Sequence, residues 1–421
     1  GGLMLTPNED DVSDGKGYAS DLNLDSNLEL VDPTSQRTRN LDENFERSLR
    51  LQMELRLKYP ESSVESSVDS LTSRASSEVH KRRRSFPWAR SGSRKNISGV
   101  EALKYREREQ VLSEAWLTDE MRAQSKRRRD LFFKGVPVIL RGKVWAAAVG
   151  DDMDIAEGLY EVLEEDLEKG LGDSETDESE SIKQLRSLKG AIALDAPRTF
   201  PELLMFHYGE LQCRDRLTRL LEMYVLFRPK IGYTQGMSIV AGMLVLHMDN
   251  LHAFRTFANL VESTCLIDFY LMRTFEVTTH LKTHEALLSA ELPDLRNHLV
   301  KQGVKPDMYL VPWFMSLYCR SMPLELACRL FDLIALDGNT AIFRVAMGLM
   351  KHLSDRLLRC GFDECMHLLT KFPQYENIDQ VMNSVRSVTL HEKRLQQVNT
   401  KCAAELKRTA SKLAPGKFTW S

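Results

Sequence analysis

Helical periodicity dominates the second half of this chain. From Ser238 to about Cys402, apolar residues recur at the three- and four-residue spacing of amphipathic helices, and strand-like alternation is scarce. Prolines are expected at the boundaries or in the first turns of these helices, and Asp337-Gly338 is expected to connect two of them. The pattern predicts an all-α domain with a large buried core. The predicted helices are Ser238–His247, Ala253–Leu266, Lys282–Glu291, Leu295–Lys301, Leu310–Cys319, Leu324–Ile334, Thr340–Leu357 and Phe362–Leu369.

Composition narrows the class of protein. The 421 residues predict one or two globular domains plus tails, and a hydrophobic content of 43% is enough for a large core. A net charge of −3 argues against nucleic-acid or membrane binding through overall positive charge. Apolar runs such as Ile239–Leu246 are far shorter than the ~20 residues that span a bilayer, and no charged-then-apolar leader opens the chain. The composition therefore predicts a soluble, intracellular protein.

The N-terminal region has a different composition. Residues 1–98 are rich in polar and charged residues and too poor in apolar residues to form a core, which predicts disorder. Within it, Leu41–Tyr59 is either a helix that folds on a partner or a transient helix without a role. The run Lys81–Trp88 allows three interpretations: solvated charge, a membrane-surface patch anchored by Trp88, or a regulatory phosphorylation at Ser85 that a phosphoserine adaptor recognises.

Further segments divide the rest of the chain. Residues 99–132 are predicted to be a helical leader, in which Lys126–Arg129 form a solvated face. The main domain is predicted to span residues 133–375, with a disordered acidic loop at about 170–181 that lacks the ligand spacing of a calcium loop. Residues 376–421 are predicted to add one polar helix and a tail.

Signatures of intrinsic catalysis are missing from the sequence. It contains no GxxxxGK[ST], GxGxxG, GxSxG or HExxH pattern, so a bound nucleotide, a hydrolase nucleophile or a catalytic zinc is not expected. The seven cysteines are scattered without a CxxC pair, which is typical of free thiols in a reducing compartment. Cys360, Cys365 and His367 lie close together but supply fewer than the four ligands of a structural zinc. We therefore expect the chain to hold no metal or cofactor of its own.

Two polar side chains stand out between residues 192 and 237. Arg198 lies on a turn bracketed by prolines, and Gln235 stands beside Gly236, where a new apolar helix begins. The helix between them is predicted to end at Arg228-Pro229, because proline cannot continue it. Packing of that helix would hold the guanidinium and the carboxamide in fixed relation, which suits insertion into another protein's phosphate site. Its predicted buried face consists of Leu217, Leu220, Leu221, Tyr224 and Val225.

A second motif lies earlier in the chain. After a Gly-Pro turn, Leu140, Val144 and Trp145 share one face of a predicted helix. Arg141, four residues before Trp145, is expected either to stack on the indole ring or to pair with a buried carboxylate. Both interpretations make Arg141 and Trp145 supporting residues of the domain.

Taken in order, these motifs resemble those of the TBC-domain Rab GTPase-activating proteins. The resemblance covers about residues 133–375, and segments around Tyr309-Leu310 and Pro323–Arg329 are most similar to family members twelve and fourteen. The sequence departs from the family at Phe331, where tryptophan is frequent, and at Arg228, where asparagine is frequent; both departures concern substrate choice more than activity. The matching motifs are Leu140–Trp145, Ile192-x-x-Asp195-x-x-Arg198-Thr199-x-Pro201, Tyr233-x-Gln235-Gly236-Met237, Asp307–Trp313 and Met322-Pro323-Leu324.

The resemblance implies a fold and a function. The fold would be the V-shaped, all-helical TBC fold, and the partner a GTP-bound Rab GTPase that carries its own GTP and Mg²⁺. The chain would be an activator of that GTPase in vesicle trafficking, cytoplasmic and peripherally bound to endosomal, Golgi or autophagic membranes. Arg198 would be an arginine finger and Gln235 a glutamine finger. The residues expected to support them are Asp195, Thr199, Tyr233 and Gly236.

The chemistry of GTP hydrolysis agrees with these roles. An arginine supplied in trans stabilises charge on the γ-phosphoryl oxygens, and a glutamine orients the attacking water. Asp195 is expected to hold the Arg198 guanidinium or fix its turn, with a helix N-cap as the alternative. The competing hypothesis is a non-catalytic Rab-binding effector or scaffold. Nucleic-acid binding is not expected, because the basic runs are separated and have little aromatic interleaving.

Overall fold

A computed structural model of the chain describes residues 125–412, apart from 171–179, 202, 204–205, 207–212 and 375. The regular structure of these residues is entirely helical, so the predicted all-α class is confirmed. The predictions for residues 1–98, for Ser85 and for most of the leader lie outside the described residues. So does most of the predicted acidic loop, although Gly170 and Glu180 belong to flanking helices.

The helices with described bounds are numbered here in chain order. A 3₁₀ turn at Val138–Leu140 precedes the second of them, and another at Ala196–Arg198 follows the fourth. The α-helices are α1 Ser125–Lys134, α2 Arg141–Val149, α3 Glu157–Gly170, α4 Glu180–Asp195, α5 Cys213–Phe227, α6 Met237–His247, α7 Asn250–Ser263, α8 Leu266–Tyr270, α9 Thr274–Glu291, α10 Pro293–Gln302, α11 Asp307–Met315, α12 Leu324–Leu357, α13 Phe362–Thr370, α14 Ile378–Arg386 and α15 Glu392–Lys412.

Helix α6 lies in the core of the domain. Each of its residues, from Met237 to His247, is buried. A helix that is apolar on all sides is stable in water only when neighbours cover it, and α2, α5 and α7 pack on it. Because Gln235 and Gly236 directly precede this helix, its burial fixes the position of the turn that carries them.

Helix α12 contains the predicted connection between two helices. Its backbone leaves helical geometry at Gly338, with φ 52° and ψ −129°, so Asp337-Gly338 joins two helical segments as expected. Among the described helices, α12 alone has the length and apolar composition of a membrane span, but 78% of its most apolar window is buried inside the protein. At Gly348 an added Cβ would lie 2.5 Å from the Val385 Cα, which shows how closely α14 packs on α12.

Several helix-boundary predictions in this domain are wrong. The segment Ala253–Leu266, predicted as one helix, is divided between α7 and α8, and the helix predicted to begin at Lys282 begins at Thr274. The helix predicted to end at Cys319 ends at Met315, because Leu317 and Tyr318 adopt left-handed backbone conformations with φ 46° and 69°. Pro312 was expected at a boundary or in a first turn, yet it lies inside that helix.

The single C-terminal helix predicted from the sequence is two helices. Asn377 is the N-cap of α14, and its side chain accepts a hydrogen bond from the backbone N–H of Gln380 at 3.1 Å. The chain then turns between α14 and α15 and buries Val388 and Leu390. The segment that buries these two side chains separates the two helices, although the sequence pattern predicted one continuous polar helix.

Arg129, the last residue of the predicted solvated face of the leader, forms an ion pair. The Arg129 Nε donates a bifurcated hydrogen bond to Asp337, lying 2.9 and 3.1 Å from the two carboxylate oxygens. The next residue, Asp130, accepts a hydrogen bond from Arg386. These two ion pairs attach α1 to the main domain at α12 and α14.

Candidate functional site

The turn that carries Arg198 has a fixed backbone. It follows α4 directly as a 3₁₀ turn with Pro197 at its start. Thr199 is fully buried and its hydroxyl donates to the Asp195 carbonyl oxygen at 3.0 Å. Phe200 is buried with a left-handed φ of 50°, a strained conformation for a residue with a side chain. Burial of Thr199 and Phe200 therefore leaves Arg198 as the exposed residue of the turn.

Two oxygen atoms of neighbouring residues orient the Arg198 guanidinium. Its Nε donates to the Leu194 carbonyl oxygen at 3.1 Å, and its Nη2 lies 2.7 Å from Asp195 Oδ1. The Asp195 side chain makes no cap hydrogen bond, so the alternative of a helix N-cap is not seen. The arginine side chain remains 47% exposed. It is thus accessible from outside while its guanidinium plane is held in one orientation.

Asp195 also joins the Arg198 turn to the Gln235 turn. The Tyr233 hydroxyl donates to Asp195 Oδ2 at 2.5 Å, while Oδ1 contacts the arginine. Burial raises the pKa of Tyr233 far above its usual range, and the hydrogen bond to Asp195 raises it further. The tyrosine therefore remains a protonated donor to the carboxylate at physiological pH.

The turn from Tyr233 to Gly236 presents Gln235. The Thr234 hydroxyl donates to the Tyr270 carbonyl oxygen at 3.1 Å, and Gly236 has a φ of 106° that strongly favours glycine. An added Cβ at Gly236 would lie 3.5 Å from the Met315 carbonyl oxygen. Gly236 is the residue at the helix N-cap, so Gln235 does not cap α6, and its side chain is exposed.

A glycine inside α6 brings the two turns together. An added Cβ at Gly242 would lie 2.7 Å from Thr199 Cγ2 and 3.2 Å from a ring carbon of Phe200. The Arg198 turn therefore rests on the helix that Gln235 and Gly236 begin. Sequence reasoning missed this contact, although an isolated glycine in an apolar helix is a signal of close packing.

We expect Gly242→Ala to displace the Arg198 turn. The new methyl group would overlap Thr199 Cγ2, and overpacking of this kind costs about 1–3 kcal/mol, more than the ~1 kcal/mol that alanine gains in helix propensity. Because small misplacements of a reacting group can reduce rates by up to ~10², any reaction in which Arg198 takes part should slow at least about tenfold. The measurements are thermal unfolding of the variant and the rate of that reaction under single-turnover conditions. Gly158→Ala is the matched control, since nothing lies within 4 Å of its added Cβ; equal behaviour of the two variants would contradict the contact.

The chemistry available at the site is charge and hydrogen-bond donation. Within the described residues, no group of three or more His, Cys, Asp or Glu side chains could hold a metal ion. Buried thiols elsewhere are inert; burial raises the pKa of Cys328 to about 12. A guanidinium and a carboxamide on fixed turns can bind phosphate oxygens or a water molecule in a partner.

Arg141 and Trp145 do not belong to this cluster. Both donate to Asp332, through Arg141 Nε at 3.3 Å and Trp145 Nε1 at 2.8 Å, so the predicted buried carboxylate is present. The Val136 N–H donates to the same carboxylate at 3.0 Å; burial raises the pKa of Asp332, and these donors with the Arg141 charge oppose that rise. The Trp145 ring packs on His247, at the opposite end of α6 from Gln235. The network is a structural support for the domain.

Residues 139–358 match the family described as the Rab-GTPase-TBC domain. The chain is 33% identical over 277 residues to TBC1 domain family member 14 of Mus musculus, covering 64% of this chain and 40% of that protein. It is 34% identical over 280 residues to TBC1 domain family member 12 of Xenopus tropicalis, covering 65% of this chain and 41% of that protein. The chain thus spans about 40% of the length of these relatives, and the expected similarity to members twelve and fourteen is confirmed.

Solved structures show the same fold. The Chlamydomonas flagellar RabGAP TBC domain aligns with a TM-score of 0.52 at 22% identity, covering 69% of this chain and 93% of that one. The Ypt/Rab-GAP domain of Gyp1p aligns with a TM-score of 0.50 at 18% identity, covering 66% and 95%. Together with the family match across half of the chain, these likenesses confirm the fold expected from the motifs: the chain belongs to the Rab-GTPase-TBC domain family.

Proposed function

We propose that this chain stimulates GTP hydrolysis by a Rab-family small GTPase, inserting Arg198 and Gln235 into the partner's nucleotide site. One observation supports the proposal most directly: both side chains are exposed on turns that are held together. Asp195 is hydrogen-bonded to Arg198 and to Tyr233 of the Gln235 turn, and the Arg198 turn packs on α6, which begins directly after Gln235 and Gly236. Family membership and the similarity to TBC1 domain family members 12 and 14 support it.

The role proposed for Arg198 is electrostatic. Negative charge builds on the γ-phosphoryl oxygens as the bond to the leaving group breaks, and an arginine supplied in trans accelerates this step about 10³–10⁵-fold. The planar guanidinium can bind two phosphate oxygens at once, which an ammonium cannot do in the same geometry. Contacts with Leu194 and Asp195 orient the group beforehand, so less conformational freedom is lost on insertion. GTP and Mg²⁺ are carried by the partner.

The role proposed for Gln235 is to orient the attacking water. Other GTPases assign this task to a glutamine of their own. Thr234 and Gly236 hold the carboxamide on a fixed turn, and Tyr233 ties that turn to the carboxylate that holds Arg198. Thr199 and Asp195 act on the arginine side as positioning residues. Both polar groups would then reach one transition state from the same surface.

The proposal extends to location and regulation. Membership of the Rab-GTPase-TBC domain family supports a role in vesicle trafficking, and we propose endosomal, Golgi or autophagic membranes as the location. Ser85, outside the described residues, remains the proposed phosphorylation site for a phosphoserine adaptor because three arginines precede it. Comparing the localisation of the wild type with Ser85→Ala and Ser85→Asp checks the regulatory part.

A panel of purified, GTP-loaded Rab proteins tests the central proposal. Hydrolysis is measured with and without the full chain, and Arg198→Ala protein is the matched control. We expect at least one Rab to be stimulated more than about 10²-fold by the wild type alone. Binding to Rabs without stimulation of any of them would favour the non-catalytic effector or scaffold instead.

A further inference from the structure

Two large apolar side chains stand exposed beside the turns that carry Arg198 and Gln235. Leu194 is 68% exposed and Met272 is 67% exposed, the highest values among the large apolar residues of the described chain. Leu194 lies in the last turn of α4, and Met272 follows α8 closely. Single exposed apolar residues are common on protein surfaces, so their position beside the site is what distinguishes this pair.

The backbone of Leu194 is hydrogen-bonded to the Arg198 side chain. Its carbonyl oxygen accepts the hydrogen bond from Arg198 Nε at 3.1 Å. The residues three and four positions earlier on the same helical face are Ala191 and Gly190, and an added Cβ at Gly190 would meet nothing within 4 Å. No bulky neighbour on that face shields the leucine. Leu194 is therefore an unshielded apolar residue four positions before the arginine.

Met272 is presented by a fixed turn. Its backbone is left-handed, with φ 48°, and the turn is closed by the Arg273 N–H, which donates to the Asp268 carbonyl oxygen at 2.9 Å. The Arg273 guanidinium also contacts the Asp268 carboxylate at 3.1 Å. Two residues before the methionine, the Tyr270 carbonyl oxygen accepts the Thr234 hydroxyl, so this turn is bonded to the one that carries Gln235. The strained backbone holds a large apolar side chain in solvent.

We infer that Leu194 and Met272 dock an apolar patch of the GTPase surface next to its bound GTP, an inference that rests on the proposed function. The backbone of Leu194 is hydrogen-bonded to the Arg198 side chain, and the turn of Met272 is bonded through Tyr270 to the turn of Gln235, so each apolar residue belongs to a segment bonded to one of the two proposed catalytic turns. Apolar contacts around such groups exclude water, which strengthens the electrostatic interactions between them and the phosphate. The segments of a small GTPase that border the nucleotide are ordered by its γ-phosphate, so a patch formed by them is complete only in the GTP form. The flexible methionine side chain can adapt to such a surface.

Leu194→Ser and Met272→Ser test this inference in the 421-residue chain. The substrate is the Rab that the panel identifies as most strongly stimulated, and the dissociation constant is also measured for that Rab loaded with a non-hydrolysable GTP analogue. We expect each substitution to raise KM and this dissociation constant about tenfold, with kcat changed less than about twofold. Loss of binding shared by the ground state and the transition state has this kinetic signature. Val300→Ser is the matched control, since Val300 is 56% exposed on α10.

The outcomes separate this inference from the proposed function. Unchanged KM and dissociation constants in both variants, or an equal rise in Val300→Ser, would overturn it. A fall in kcat at unchanged KM would also overturn it, because the side chains would then only position Arg198. If the two variants change self-association of the chain rather than affinity for the Rab, the face binds a second copy and the inference is wrong. If Arg198→Ala is inactive while Leu194→Ser and Met272→Ser are unaffected, the docking inference is wrong and the proposed function stands. A fully active Arg198→Ala protein would refute the proposed function itself.

Discussion

Arg198→Ala should reduce stimulated GTP hydrolysis by about 10³-fold or more while leaving the domain folded. The lost group is the cation that stabilises charge on the γ-phosphoryl oxygens. Its removal leaves the turn intact, because the buried Thr199 and Phe200 fix the backbone without the arginine side chain. A half-exposed ion pair such as that with Asp195 contributes at most about 1 kcal/mol to stability. Single-turnover hydrolysis and thermal unfolding measure the two effects separately.

Two further variants define what the arginine supplies. Arg198→Lys keeps the charge but loses the planar fork, so it should recover less than about a tenth of the lost rate. Arg296→Ala is the matched control, because Arg296 is a partly exposed arginine whose Nη2 lies 2.8 Å from Glu285 on other helices. It should retain full activity. An Arg198→Ala protein as active as Arg296→Ala would refute the arginine mechanism.

Gln235→Ala is expected to reduce the stimulated rate about 10²-fold, the typical loss for one pre-organised hydrogen-bonding group. The side chain is exposed and does not cap α6, so the free energy of unfolding should change by less than about 0.5 kcal/mol. The same hydrolysis assay and unfolding measurement apply. A variant that loses stability but keeps its activity would show that Gln235 has a structural role only.

The double variant Arg198→Ala/Gln235→Ala tests whether the two groups act together. Because both would act on one transition state, its loss should be smaller than the product of the two single losses. A second assay uses a Rab whose own switch glutamine has been replaced. Such a Rab should still be stimulated if Gln235 orients the water, and complete resistance would show that the GTPase supplies this group itself.

The helices were predictable from sequence wherever local signals define them. The apolar run of α6, the Arg228-Pro229 stop after α5 and the Asp337-Gly338 connection are all local patterns. The early end of α11 was not predictable, because leucine and tyrosine rarely adopt the left-handed backbone found at Leu317 and Tyr318. Tertiary packing decided that boundary.

The residues of the candidate site were proposed from sequence motifs, but most of the contacts between them were not predictable. Arg198 and Gln235 follow from their motifs, and the contact of Asp195 with the guanidinium follows from a separation of three residues. The contact of Gly242 with Thr199 and the pairing of Arg141 with Asp332 join residues distant in sequence. A single sequence can predict the type of partner for such a residue, such as a buried carboxylate for Arg141, but not which residue supplies it. The exposure of Met272 likewise depends on a turn closed by Asp268.

The ion pair between Arg198 and Asp195 has a consequence for which anions the site attracts. A guanidinium 2.7 Å from a carboxylate forms a neutral pair when viewed from more than a few ångströms away. Within the ~8 Å over which charges act in physiological salt, such a pair attracts free nucleotides, polyphosphates or anionic lipid headgroups less than an unpaired arginine would. The ion pair therefore weakens the attraction between Arg198 and distant anions. The charge of the arginine acts most strongly on a phosphate brought close enough to compete with Asp195.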